Sequence, residues 1–429
     1  MSSKVQLQIK QGKDPGKVFP FTEHDTFVFG RMSDCHACIP DDSQVSRHHF
    51  ILEANPPQAC LRDLGSLNGT WVNGKKFGAR EKGETPEKGA KRRYPEVALK
   101  HGDRIKVGRT ELEVSIEQPK EAPRHRVDPA VGDISLLSPE QLARLIFGSP
   151  DQVAGKPKLQ IPGWKIEAEI GRGGFGAVYR ARRTDDGKII AVKVMLSRVD
   201  ADDEAIEKFK REVVVTAKLQ HPNIVRVQES GASGAVFYFV MEFCDGGSAW
   251  DLMLKNGGRL SVSQAKPIIL GALSGLAYAH DEGFVHRDLK PQNVLLSRGE
   301  ARLSDFGLSK CFQQAGLSGL SMTGSFAGTP YFMPREQITN FKYAKPASDV
   351  WGMGATIYNM LTGTFPYPFS KERDPIDVIL NEEVVPIRKR DKSIPKSLAG
   401  ILDRALAKKA KDRFQNASEF LAAVESAVR

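Results

Sequence analysis

The sequence predicts a multidomain chain in which an N-terminal all-β sandwich precedes a bilobal α+β unit. Three observations carry this prediction. Short apolar stretches separated by Gly, Asn, Asp and Pro fill residues 1–117, Pro and charged residues dominate 118–160, and residues 161–429 begin with strand patterns and continue with helical ones. With roughly 100 to 200 residues per domain as a guide, a chain of 429 residues has room for this division.

The composition excludes several classes of protein. With 40% hydrophobic and 27% charged residues, the chain can bury a core, so full disorder is excluded. Its five cysteines are too few for a disulfide scaffold, and because their number is odd they cannot all pair. This favours a reducing compartment. We find no apolar signal segment at the start and no uncharged apolar run near the ~20 residues that span a bilayer. We therefore expect a soluble cytoplasmic protein without a membrane partner.

The strands expected in residues 1–117 are short and separated by turn residues, as is typical of a sandwich. They are Val5–Ile9, Thr26–Phe29, His49–Leu52, Thr70–Val72, Arg104–Val107 and Glu111–Ile116. Residues 75–93 contain eight basic and three acidic residues. Their net charge of +5 is half of the formal net charge of the chain, +10. This run is either a solvated surface insertion or an electrostatic guide for an anionic ligand. Nucleic acid ranks last among its partners, because the run carries few aromatic residues, such as Tyr94 at its end, on which bases could stack.

The middle of the chain, residues 118–160, is predicted to be a linker. It is rich in Pro, charge and small residues, and the stretch Ser138–Phe147 within it has the pattern of a short amphipathic helix.

The second half of the chain begins with a glycine-rich stretch that could bind phosphate. Gly171, Gly173 and Gly176 have the spacing G-x-G-x-x-G, which by itself also occurs in dinucleotide sites. A dinucleotide site needs a helix after the last glycine, whereas residues 177–181 continue as a strand that turns at 185–187 and returns as Ile189–Val194. The glycines therefore lie in a hairpin tip whose backbone amides can approach phosphates.

A lysine and a set of acidic residues complete the pattern. Lys193 lies inside the returning strand and needs a partner, since an unpaired buried charge costs several kcal/mol. We expect that partner to be Glu212, on a segment with helical spacing of apolar residues. Further on, Asp288, Asn293 and Asp305 supply one base and two oxygen ligands for Mg²⁺, a set that suits phosphoryl transfer.

Taken together, these strings resemble a eukaryotic-type (Hanks-type) serine/threonine protein kinase over residues 164–429. The resemblance implies ATP and Mg²⁺ as cofactors, and proteins as substrates. It implies catalytic roles for Asp288, which orients the substrate hydroxyl, and for Lys290, Lys193 and Glu212. It assigns the metal to Asn293 and Asp305. It assigns ATP binding to Ile170, Gly171, Arg172, Gly173, Gly174, Phe175, Gly176, Ala177, Val178, Lys193, Met241, Glu242 and Cys244.

The resemblance also bears on specificity and regulation. In this family Lys290 and Thr329 accompany specificity for Ser and Thr. Arg287, beside the catalytic Asp288, needs an anion, which a phosphorylated residue of the activation loop would supply. We expect Thr323 to be that residue, with Ser325 second.

One motif departs from the family pattern. The Ala-Pro-Glu that closes the activation segment is Pro334-Arg335-Glu336 here. The family's proline is thus replaced by Arg335, while Glu336 remains and is expected to pair with Arg413.

Three strings in the first half suit the capture of a phosphate: Gly30-Arg31, Ser46-Arg47-His48-His49 and Gly65 to Thr70. Together they resemble a forkhead-associated (FHA) domain over about residues 5–117, a sandwich that binds phosphothreonine peptides. The resemblance implies that Arg31, Ser46 and Arg47 face the phosphate and that Asn68 holds the peptide main chain. It gives His49 a structural role and leaves Leu67 where some members have a hydroxyl. An FHA domain fused to this type of kinase indicates a bacterial protein.

Two classes of function remain open. The first is an active Ser/Thr kinase, activated by loop phosphorylation, whose FHA domain recruits phosphothreonine proteins or a second copy of the kinase. The second is a catalytically weak scaffold that binds phosphopeptides. The linker contains no threonine, so Thr323 of another molecule is the self-association ligand that the sequence offers. A zinc site at Cys35 and Cys38 is rejected, because no second cysteine pair follows at ribbon spacing.

Overall fold

The computed structural model describes residues 3–22, 24–81, 94–117, 124–125, 163–173, 176–196, 201–202, 218–233, 236–306, 330–339, 344–370 and 373–427. Several predictions lie outside these residues. They are the linker helix at 138–147, most of the basic run, Gly174, Phe175, Glu212, Thr323, Ser325 and Thr329.

The N-terminal part is a two-sheet β-sandwich. Its strands are β1 (Lys4–Gln11), β2 (Val18–Phe21), β3 (Asp25–Gly30), β4 (Ala37–Cys38), β5 (Phe50–Asn55), β6 (Gln58–Asp63), β7 (Thr70–Val72), β8 (Lys75–Lys76), β9 (Glu96–Ala98), β10 (Arg104–Val107) and β11 (Thr110–Glu117). One sheet has the order β2-β1-β11-β10-β7-β8 and the other β4-β3-β5-β6-β9. Side chains alternate between the two faces of β1, so Val5, Leu7 and Ile9 are buried in a core that both sheets share.

The small lobe of the second unit is an antiparallel sheet. After β12 (Arg124–His125) come β13 (Trp164–Gly173), β14 (Gly176–Arg183), β15 (Ile189–Leu196), β16 (Ala201–Asp202), β17 (Val227–Ser233) and β18 (Val236–Glu242). The sheet order is β13-β14-β15-β18-β17, and β12 pairs with β16. Gly173 pairs with Gly176 across the first hairpin, so the glycines do flank its tip.

In its described residues the large lobe is helical apart from one hairpin, β19 (Val294–Ser297) and β20 (Glu300–Leu303). Its helices are α1 (Ala249–Lys255), α2 (Val262–Asp281), α3 (Arg335–Thr339), α4 (Pro346–Thr362), α5 (Pro375–Asn381), α6 (Ile387–Arg390), α7 (Lys396–Ala405) and α8 (Ala417–Ala427). Short 3₁₀ turns occupy Pro291–Asn293, Pro330–Phe332 and Ala410–Asp412. Helix α4 is buried along nearly its whole length and forms the centre of this lobe.

The sandwich packs against the large lobe. Its apolar side chains on this side join the hydrophobic cluster that α2 and α4 build. They are Val28, Cys35, Ile51, Cys60 and Leu64. In the part of the chain that the structure describes, no helix is long and apolar enough to cross a membrane.

Candidate functional site

The cleft between the two lobes brings Lys193 and Asp305 together. Lys193 lies on β15, and its Nζ is 2.8 Å from Oδ1 of Asp305, which follows β20. Burial alone would raise the pKa of Asp305, but the charge and hydrogen bond of Lys193 hold that pKa below its usual range. Asp305 is therefore ionised and paired with Lys193, while the partner expected for Lys193, Glu212, is outside the described residues.

The loop after α2 gathers three more predicted residues. Lys290 Nζ lies 2.8 Å and 3.1 Å from the two carboxylate oxygens of Asp288. Asn293 donates from Nδ2 to the backbone oxygen of Asp288 at 2.7 Å and to its Oδ2 at 3.0 Å. These contacts fix the orientation of the Asp288 carboxylate, as a base that receives a proton from a bound hydroxyl requires.

Asp349, in the first turn of α4, stabilises this loop through hydrogen bonds to its backbone. Its carboxylate accepts hydrogen bonds from the backbone amides of His286 (2.6 Å) and Arg287 (2.7 Å), and it lies 3.0 Å from Nε2 of His280. Arg287 has a φ of 69°, a left-handed conformation that a non-glycine residue rarely adopts. The carboxylate therefore stabilises a strained turn next to Asp288. Asp349 was not among the residues predicted from the sequence, although a carboxylate at the start of a helix that is otherwise apolar is a usable signal.

His286 belongs to the core of the large lobe. It is fully buried, its Nε2 lies 2.9 Å from the backbone oxygen of Ser304, and its ring is 4.5 Å from that of Phe306. His286 thereby links the loop of Asp288 to the segment that carries Asp305.

The glycine hairpin and the strand beneath it pack very closely. A Cβ on Gly176 would lie 1.8 Å from the Val194 carbonyl oxygen, so only glycine fits there. Ala177 is buried and Val178 half-buried on β14, whereas Ile170 on β13 is exposed. Arg172 Nη2 lies 2.8 Å from Glu169 Oε2 and thus belongs to an ion pair of the sheet.

The connection from the small to the large lobe carries three of the predicted ATP-binding residues, Met241, Glu242 and Cys244. Met241 is buried at the end of β18, and Glu242 Oε2 lies 3.0 Å from Arg302 Nη1 on the large lobe. Burial, followed by the nearby charge of Glu242, raises the pKa of Cys244 to about 11, so this thiol stays protonated at neutral pH. The connection is thus tied to the large lobe through Glu242.

Asn293 and Asp305 have the chemistry of a magnesium site. Asp305 provides an ionised carboxylate, and both side-chain hydrogen bonds described for Asn293 use its Nδ2, which leaves Oδ1 as the ligand atom. Carboxylate and carbonyl oxygens are the ligands that Mg²⁺ prefers. The residues present therefore fit this ion.

The ion pair expected at the end of the activation segment is present. Arg413, 2% exposed, donates from Nη1 and Nη2 to the two carboxylate oxygens of Glu336 at 2.6 Å and 3.1 Å. The same guanidinium donates to the backbone oxygens of Ala407, Ala347 and Lys408. The replacement of the family's proline by Arg335 thus leaves this anchor intact.

In the sandwich, the predicted phosphate residues lie on neighbouring loops. Ser46 Oγ accepts a hydrogen bond from the Leu67 amide at 2.9 Å, so its own hydrogen can go to a ligand. Arg31 and Arg47 are exposed, and Asn68 donates from Nδ2 to the Gln44 carbonyl at 2.7 Å. In this structure Asn68 therefore holds a loop of its own domain.

His49 is structural in this sandwich. It is fully buried, its Nδ1 accepts from the Ser46 amide at 3.0 Å, and its Nε2 lies 3.2 Å from the Gly69 carbonyl oxygen. Burial is the main cause that lowers its pKa, and the neutral ring fits this donor and acceptor pattern.

The two cysteines considered for zinc are engaged separately. Cys35 donates from Sγ to the Arg47 carbonyl and Cys38 to the Arg31 carbonyl. Burial raises the pKa of Cys35 to about 12, so this thiol is protonated at neutral pH.

Comparisons with known proteins were made for the whole chain. Residues 164–423 match the family model for the protein kinase domain, and residues 27–108 match that for the FHA domain. The probable serine/threonine-protein kinase PknB of Lactococcus lactis is 33% identical over 260 residues, which are 60% of this chain and 41% of that protein. The CBL-interacting protein kinase 21 of Oryza sativa is 33% identical over 251 residues, 58% of this chain and 46% of that protein.

A solved structure gives a further similarity. It is a mutant of the kinase domain of PknI from Mycobacterium tuberculosis, 23% identical, with a TM-score of 0.49, and the match covers 63% of this chain and 98% of that one. The chain spans less than half the length of the two curated relatives named above.

Proposed function

Since the chain belongs to the protein kinase family through residues 164–423, and carries an FHA domain ahead of them, we propose that it transfers the γ-phosphate of ATP to Ser and Thr hydroxyls of proteins. The observation that carries the proposal is the cluster of Asp288, Lys290 and Asn293 facing the pair of Lys193 and Asp305. Free thiols at Cys35, Cys38, Cys60 and Cys244 suit a reducing compartment such as the cytoplasm.

Each of these residues has a distinct task in the proposed reaction. Asp288 orients the substrate hydroxyl and accepts its proton, and Lys290 lies beside the transferred phosphoryl group. Lys193 binds the α- and β-phosphates, while the glycines of the hairpin let backbone amides approach them. Bound Mg²⁺, held by Asn293 and Asp305, would neutralise the charge of the phosphates.

The transfer itself is tested by radiolabelled ATP, Mg²⁺ and a generic basic protein. Asp288→Asn should abolish labelling of Ser and Thr, because a positioned base contributes about 10²- to 10⁴-fold to such a rate. Asp281→Asn is the matched control, since Asp281 is exposed at the end of α2 and takes part in none of the contacts described for Asp288, Lys290 and Asn293. Absence of labelling in the wild type, even with an activating kinase added, would favour the scaffold interpretation.

We further propose that phosphorylation of the activation loop raises this activity. Arg287 lies next to Asp288, and a phosphate on Thr323 would add about −1.5 to −2 charges for its guanidinium. After autophosphorylation, Thr323→Ala should therefore be slower than the wild type, and Ser325→Ala should be less affected. An unchanged rate for Thr323→Ala would refute this part of the proposal.

For the FHA domain we propose binding of phosphothreonine proteins, one of them a second copy of this chain phosphorylated at Thr323. Exposed Arg31 and Arg47, with the Ser46 hydroxyl between them in sequence, support this role. Mixing Arg31→Ala with phosphorylated wild type should weaken self-association in sedimentation velocity. If sedimentation is unchanged, the second copy is not the ligand.

A further inference from the structure

A cavity of about 140 Å³ lies between the FHA domain and the large lobe. Arg31, Ser46 and Arg47 line it from the FHA side, and Leu380 and Asn381, at the end of α5, line it from the catalytic domain. We propose that the phosphothreonine site is composite, and that the α5 wall selects the residue next to the phosphothreonine. This inference rests on the proposed function of the FHA domain and adds a specificity element outside that domain.

Two arginines fix α5 against the FHA domain, one at each end of the helix. Arg62 on β6 donates to Asp374, whose other carboxylate oxygen caps α5 by accepting from the Ile376 amide at 2.9 Å. The exposed fractions of the Arg62 and Asp374 side chains are 5% and 10%, so this ion pair is shielded from water. At the other end, Arg335 donates to the backbone oxygen of Leu380.

Arg335 also joins the helix to the loops that bind phosphate. Its Nε lies 3.2 Å from Oδ2 of Asp34, and Oδ1 of Asp34 lies 3.2 Å from Nε2 of His48. Asp34 is three residues after Arg31, and His48 directly follows Arg47. The hydrogen bond from His48, and then that from Arg335, holds the pKa of Asp34 below its usual range, so the carboxylate stays charged in this junction. The wall and the phosphate residues are thus held in one geometry before a ligand arrives, which reduces the entropy lost on binding.

The two walls differ in charge. The FHA wall has three guanidinium groups, from Arg31, Arg47 and Arg80, and within the described residues the buried Nε of Arg80 has no hydrogen-bond partner. The acidic residue of the other wall, Asp377, lies 2.8 Å from Arg373 Nη2 and is therefore compensated.

The position of a phosphopeptide follows from this difference. The phosphate binds to the arginines, and the neighbouring residue of the peptide meets the uncharged, exposed Asn381. Asn381 is thus the position at which a new charge should change the preferred peptide.

Peptide binding to the full chain tests this proposal. The probe is a fluorescent peptide copying residues 318–328 with phosphothreonine at 323, together with versions in which each of the next three residues is replaced by Asp or Lys. At each of the three positions, the dissociation constant of the Asp peptide is divided by that of the Lys peptide. At low salt, Asn381→Glu should raise this ratio roughly twofold to fivefold at one position, because it favours the Lys peptide, and Asn381→Lys should lower it there. Lys389→Glu, an exposed charge change on α6 outside the cavity, is the matched control.

The outcomes separate this inference from the proposed function. If both Asn381 variants behave like Lys389→Glu at all three positions, while Arg31→Ala abolishes binding, the composite wall is refuted and the FHA function stands. If the wild type does not bind the phosphorylated peptide more tightly than the unphosphorylated one, or if Arg31→Ala binds it normally, both proposals fail.

Discussion

Replacing Arg413 by Met should destabilise the catalytic domain strongly. Arg413 is 2% exposed, and the substitution keeps the apolar part of its side chain but removes the guanidinium, which is bonded to both carboxylate oxygens of Glu336 and to three backbone oxygens. Removing one partner of a buried pair costs about 3–5 kcal/mol. The Glu336 side chain is 32% exposed, so water offsets part of the loss of its counter-charge, but the three backbone oxygens lose their donor as well.

The corresponding change in melting temperature is large. In a domain of this size each kcal/mol lowers the Tm by about 2–4 °C, so Arg413→Met should melt about 6–20 °C below the wild type. Thermal unfolding of the full chain, followed by circular dichroism, measures this shift. Arg404→Met is the control, since Arg404 is exposed and its guanidinium lies 4.2 Å from the centre of the Phe414 ring, a contact worth about 0.5–1 kcal/mol.

A double variant examines the cause. Because Glu336→Gln removes the negative charge that Arg413→Met deprives of its counter-charge, the double variant should be less unstable than the sum of the two single variants. A Tm of Arg413→Met within about 3 °C of the Arg404→Met control would refute the reasoning, because the pair would then contribute no more than a surface contact.

Three further predictions concern other parts of the chain. Gly30→Ala should weaken phosphopeptide binding at least tenfold in fluorescence anisotropy, because its Cβ would lie 2.1 Å from the Arg47 carbonyl oxygen and displace that loop. Asp349→Asn should lower the free energy of unfolding in urea by about 1.5–3 kcal/mol and slow phosphoryl transfer, since it weakens the acceptor for two amides of the catalytic loop. Burial lowers the pKa of His36 from 6.5 to about 4, below its unfolded value, so its stabilising contribution is complete above pH 6.5 and is lost as the pH falls towards 4. Urea titrations should show a loss of up to about 3 kcal/mol over this range, and a smaller slope for His36→Asn.

Much of the candidate site could be predicted because its parts are close in sequence or lie on regular elements. Asp288, Lys290 and Asn293 fall within one short loop, and the strand pattern around Lys193 fixes the side of the sheet on which its side chain lies. The hairpin of the glycines followed from turn residues alone. The helical patterns expected in the later part of residues 161–429 are confirmed by α2, α4 and α7.

The missing parts depend on contacts that no local pattern encodes. The pair of Asp34 and Arg335 joins residues about 300 positions apart, and each of them has an ordinary polar neighbourhood in the sequence. Strand β6 was missed because its end, Arg62-Asp63, is charged, and its burial depends on an aspartate of the other domain and on the turn after β6. Helix α5 is too short to show a clear period, yet it provides the interdomain wall.

The polar contacts described between the FHA domain and the catalytic domain reach the large lobe, at Arg335 and Asp374. If the chain has the proposed activity, the FHA domain and the large lobe would move together as one body while the small lobe closes over ATP and opens again to release ADP. Under this division of motion, a protein bound to the FHA domain would stay docked through successive turnovers. Several hydroxyls of one docked substrate could then be phosphorylated in a single encounter, so multisite modification would become processive.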